Sequence, residues 1–109
     1  MAWLSSLQIY YKYADFLCVH AGLVPEVSLE AQKEKDALWI RGRFLDSDYD
    51  FGFGIIHGHT PTDRPIVRPN RIGVDTGAGY DYDGTLTALV VNAPWTDLIE
   101  KPQFLSTPV

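Results

Sequence analysis

The chain has a single cysteine, Cys18, so it can form neither an internal disulfide nor a zinc site of four thiolates. No apolar run approaches the roughly 20 residues that a membrane-spanning helix requires. The first residues lack a basic segment leading into an apolar one, so no secretory signal is expected. Positive charge is also scarce. Nine Lys and Arg stand against fourteen Asp and Glu, a formal charge of −5. That balance argues against non-specific nucleic-acid binding, which needs a basic face. Arg64, Arg68 and Arg71 are broken up by Pro65 and Pro69 and read as a solvated loop. These absences lead us to expect a cytoplasmic protein without membrane or nucleic-acid partners.

What is there is a folding composition. Of 109 residues, 46% are hydrophobic and 13% aromatic, which suits one domain or part of one, residues 1–109. "AWLSSLQIYYK" (2–12) reads as a short helix or helix end. "DFLCVH" (15–20) and "FGFGIIHG" (51–58) read as strands apolar enough to be covered on both faces. Between them, Ser28 is placed to cap a helix running through "LEAQKEKDALWIRGRF". "PIVRP" and "RIGVDTG" read as short strands about the Pro69-Asn70 turn. "GAGYDYDG" is a glycine-rich loop, and "TLTALVVN" a strand of β-branched character. The end, "APWTDLIEKPQFLSTPV", reads as a strand remnant with a loose tail over 96–109. The class implied is α/β (α+β-like).

Chemistry concentrates where strands end. His20 closes one apolar run and precedes Ala21-Gly22, small residues that leave room for an ion or a substrate. Taken alone, a histidine at a strand end is more often a hydrogen-bonded structural residue. Cys18 is about 6.6 Å away along the strand, too far to share an ion with His20, and reads as core. His57 and His59 form an H-x-H pair that an extended chain points to one side. Two imidazoles alone make an incomplete metal site. Arg41 and Arg43, after Trp39, read either as snorkelling surface cations or as a guanidinium fork for phosphate. Asp75 in "VDTGAG" either caps the following turn or positions a ligand. Tyr80 and Tyr82 either cover a substrate from their loop or are surface residues.

In order, "FLCVHAGL", "LWIRGRFL", "IIHGHTPTDRPIVRPNRIGVDTGAGY" and "GTLTALVV" resemble the C-terminal half of the bacterial-type serine/threonine phosphoprotein phosphatases. These belong to the calcineurin-like metallophosphoesterase superfamily. The likeness runs from about Leu7 to Val91. It implies a β-sandwich flanked by helices, with two divalent ions (manganese, iron or zinc) at the strand ends. His20 and His59 would bind the second ion and Arg41 the phosphate. Tyr80 would overhang the site, with Tyr82 as the alternative because the loop is long. His57 and Asp75 would stand behind the ligands. A further metal histidine of other superfamily branches would fall on Pro61, which cannot ligate and so favours the phosphoprotein-phosphatase branch.

The family's Asp-x-His, Gly-Asp-x-x-Asp-Arg-Gly and Gly-Asn-His-Glu motifs do not occur in the chain. They supply the first ion's ligands, the bridging aspartate and the acid histidine. The resemblance therefore implies a partial domain that holds at most one ion weakly and is inactive alone. Its expected partners are a phosphoprotein or phosphate-ester substrate, and either a second copy or a separate N-terminal half. The alternatives are part of a symmetrical dinucleoside tetraphosphatase, or a non-catalytic interaction fragment.

Overall fold

The structure is a computed structural model that describes residues 10–60, 62, 64–76, 85–91 and 93–108. It combines helices with a mixed five-stranded sheet and a two-stranded one, an α/β arrangement. Strand β1 (Tyr10–Tyr13) runs antiparallel to β2 (Phe16–Val19), with Tyr13 opposite Phe16 and a tight turn in which Ala14 takes φ 53°. The helix expected over 2–12 is thus a strand at Tyr10–Lys12, and 2–9 lie outside the described residues. Aromatic residues suit a pleated surface, and β2 offers this stretch a partner.

Strand β3 (Gly54–His57) lies parallel to β2, and β5 (Arg71–Gly73) parallel to β3. Strand β4 (Ile66–Arg68) adds antiparallel to β5, giving the order β1-β2-β3-β5-β4. Alternation along the central strands feeds two cores. Leu17, Val19 and Ile55 pack with Leu23, Ala37, Ile40 and Phe44. Phe16, Ile56 and Ile72 pack with Trp95 and Leu98 on the other side.

The helix expected from Ser28 onward is broken into a 3-10 turn (Leu29–Ala31), α1 (Glu34–Trp39) and α2 (Gly42–Leu45). Ser28 makes no side-chain cap, and Gln32 is extended at φ −67°, ψ 143°. The Gln32 carboxamide explains the break. Its Oε1 accepts from Val24 N at 2.9 Å, and its Nε2 donates to the carbonyls of Val24 at 2.9 Å and Val27 at 3.0 Å. Satisfying three loop groups holds Gln32 against the β2 exit and out of the helix. Arg71, expected in a solvated loop, is only 5% exposed, because it lies on an inner strand with its guanidinium against His57.

The final segment is not a loose tail. α3 (Trp95–Glu100) buries Trp95 and Leu98, and β7 (Phe104–Pro108) pairs antiparallel with β6 (Thr85–Leu89). Burial of the second sheet face drives this, since Phe16, Ile56 and Ile72 need cover. Two polar contacts fix the helix. Trp95 N donates to Asp15 Oδ2, and Trp95 Nε1 to the Pro69 carbonyl, both at 2.9 Å. Asp15 also accepts from Gly54 N at 2.9 Å through its own carbonyl. A methyl group added at Gly54 would overlap the Trp95 indole. Gly54→Ala is therefore expected to lower stability by about 1–3 kcal/mol through overpacking. Gly42→Ala, whose methyl meets only Asp46 Oδ2 at 3.4 Å, is the comparison expected to stay within about 1 kcal/mol of the parent in urea titrations.

Candidate metal and phosphate site

The three parallel strands deliver His20, His59 and Asp75 to one edge of the sheet. His20 directly follows β2, while His59 and Asp75 each lie two residues beyond β3 and β5. Ligands gather at this carboxyl edge in open α/β sheets. Backbone bonds tie the exits together. Gly58 N donates to the His20 carbonyl at 2.8 Å, Val74 N to that of His57 at 2.9 Å, and Thr62 N to that of Asp75 at 2.9 Å.

At His59 the chain turns sharply. Its φ is 69°, and Thr60 N donates to the Gly58 carbonyl at 2.9 Å. This is the strained, positive-φ form of the γ-turn, with a cost of about 1–3 kcal/mol. The turn gives His57 and His59 different surroundings, contrary to the expectation for an extended H-x-H. The His59 ring lies 5.1 Å from that of His20, centroid to centroid, and 5.5 Å edge-on from the Trp39 indole. Arg41 Nε donates to His59 Nε2 at 3.3 Å. Desolvation, then the Arg41 guanidinium and the neighbouring His20 imidazole, hold the His59 pKa below its usual value against the opposing carboxylate of Asp75. A neutral imidazole, with a lone pair to offer, is thereby favoured.

His57 is 4% exposed and packs edge-on to Phe44 at 5.0 Å. Both its nitrogens are engaged, Nε2 with Arg71 Nη1 at 2.9 Å and Nδ1 with the Gly58 carbonyl at 3.2 Å. It has no lone pair left for an ion. Cys18 faces the second core and burial pushes its thiol pKa up, as for an unreactive core cysteine. Tyr80 and Tyr82 lie outside the described residues.

His20 and His59 thus offer two nitrogen donors, and Asp75 acts on His59 through its charge. Among the described residues, no three or more His, Cys, Asp and Glu side chains form a group that could hold a metal ion. The donors fit part of one ion's shell and not a two-ion centre. Also among the described residues, no helix is long and apolar enough to cross a membrane. Sequence reasoning gave Trp39 no role of its own and missed the Arg71–His57 contact. Only the tertiary placement of α1 and β5 reveals either. No family model, curated protein or solved structure matches the chain.

Proposed function

We propose that the chain is the C-terminal part of a two-metal phosphatase that hydrolyses phosphoserine and phosphothreonine esters in the cytoplasm. The reading rests on one observation: His20, His59 and Arg41, distant in sequence, converge at the carboxyl edge of the parallel strands. In the complete enzyme two divalent ions, manganese, iron or zinc, would supply Lewis acidity and an activated water. This chain contributes the imidazole donors of His20 and His59. Arg41 contributes a guanidinium for the phosphoryl oxygens, whose planar fork suits bidentate contact. His59 Nε2 cannot accept from Arg41 and ligate at once, so ligation through Nε2 frees Arg41 Nε for phosphate. The remaining ligands and the acid for the leaving oxygen belong to a preceding or separate N-terminal half.

The test is to read the coding sequence upstream of Met1 and assay the longer chain on phosphoserine and phosphothreonine peptides. The reading expects Asp-x-His, Gly-Asp-x-x-Asp-Arg-Gly and Gly-Asn-His-Glu in frame. It also expects metal-dependent turnover that falls about 100- to 1000-fold in Arg41→Ala, with dinucleoside tetraphosphates spared. A longer chain that has the motifs but leaves phosphopeptides intact would overturn it. The 109-residue chain alone is expected to show no turnover of an aryl phosphate with manganese. Turnover by the purified chain, lost in His59→Ala, would refute that incompleteness.

A further inference from the structure

We infer that Arg71 is the positioning residue of the site: its buried guanidinium holds His57 in one tautomer, and His57 in turn fixes the Gly58–His59 turn that brings His59 to His20. Arginine nitrogens only donate. The 2.9 Å contact from Arg71 Nη1 therefore requires a lone pair on His57 Nε2 and places the ring proton on Nδ1. Nδ1–H then donates to the Gly58 carbonyl at 3.2 Å. That carbonyl also accepts from Thr60 N and so closes the strained turn at His59. The other end of the Gly58 unit is tied to His20, through Gly58 N and the His20 carbonyl at 2.8 Å. A single relay thus runs from Arg71 to both histidines that the phosphatase reading needs.

The arrangement is costly as a purely structural device. Arg71 is 5% exposed; among the described residues its Nε has no hydrogen-bond partner, its bonded partners, His57 and the Leu45 carbonyl at 3.3 Å, carry no charge, and the Asp46 carboxylate favours it only through its field. An unpaired buried donor is unfavourable, and an aliphatic residue on this inner strand would avoid it. Gly73 makes room for the contact. A methyl there would come within 3.2 Å of His57 Cε1 and 3.3 Å of Nε2.

The inference rests on the phosphatase reading for its purpose but not for its test. Long-range ¹H–¹⁵N correlation on the labelled chain reads each histidine's tautomer. In the unmodified chain His57 is expected to be a single, neutral, Nδ1-protonated ring. An Nε2-protonated or averaged ring there overturns the inference without any variant. In Arg71→Met, His57 is expected to lose its single tautomer and the Gly58 and His59 amides to shift, while Arg71→Lys, which keeps a donor, restores the tautomer. A folded Arg71→Met with unchanged His57 and His59 signals also overturns it. If Arg71→Met does not fold, the unmodified chain and Arg71→Lys decide. Zinc titrated against the His20 and His59 signals should bind about 10- to 100-fold more weakly to Arg71→Met. If the longer chain turns over no phosphopeptide while the tautomer result holds, the phosphatase reading fails and the positioning role stands.

Discussion

Replacing Phe44 by alanine is expected to destabilise the protein by about 3–5 kcal/mol, the range for a buried phenylalanine whose cavity does not collapse. Phe44 is fully buried on α2 and joins the first core to the site. A methyl added at Gly22 would overlap the Phe44 ring, so the backbone just past His20 runs directly against it. Its ring lies 5.0 Å edge-on from His57, and the Arg71 guanidinium carbon stands 5.9 Å above it. The substitution removes hydrophobic burial, an aromatic edge contact and a cation–π contact together. A domain of this size has about 5–15 kcal/mol in all, so the loss threatens folding at physiological temperature. Phe44→Leu, closer in volume, should cost about 1.5 kcal/mol or less. Urea midpoints at constant slope measure both. A cost under about 1 kcal/mol for the alanine would mean that α2 does not pack under the sheet as described.

The second large effect is acid sensitivity of the metal-free chain. The His57 pKa is lowered from 6.5 to about 4, chiefly by burial, with Arg71 adding repulsion and the Gly58 carbonyl opposing. Below pH 6.5 the unfolded chain binds a proton at His57 that the folded chain refuses. Stability is therefore full above pH 6.5 and falls as pH drops towards 4. At roughly 1.4 kcal/mol per pH unit, the loss approaches about 3 kcal/mol. His59, also lowered, adds in the same direction but is less buried, so His59→Ala should keep most of the slope. His57→Gln should be less stable at neutral pH yet nearly flat between pH 6.5 and 5. Urea titrations across that range separate the cases. Equal slopes in the parent and His57→Gln would show that His57 is not held neutral by the fold.

Much of the sheet was legible because apolar runs and turn residues agree locally. β2 and β3 are short, apolar and closed by glycine turns, and Pro69-Asn70 marks the turn between β4 and β5. His20 and His59 stood out by position, each just past such a run. The residues that misled are those whose role depends on a distant partner. Gln32 is a good helix former, yet its carboxamide finds Val24 and Val27. Tyr10–Tyr13 continues a helix-like stretch until β2 is there to pair with it. Arg71 looks solvated in any local reading, and its contacts with His57, the Leu45 carbonyl and the Phe44 ring make its burial intelligible. The strained residue of the turn, His59, is itself neither glycine nor asparagine, so its positive φ goes unannounced. The C-terminal helix did leave a signal: Trp95, Leu98 and Ile99 repeat at helical spacing after Pro94, and all three pack on the second core.

The bond from Trp95 N to Asp15 joins residues 80 apart in the chain. A ribosome makes Asp15 eighty residues before Trp95, so the nascent chain must wait through that stretch before the second face of the sheet is covered. Until then Phe16, Ile56 and Ile72 present an uncovered greasy surface. Polypeptides that end before Trp95 would never acquire that cover. Such products would be clients for holdase chaperones and candidates for inclusion bodies rather than soluble smaller versions of the protein.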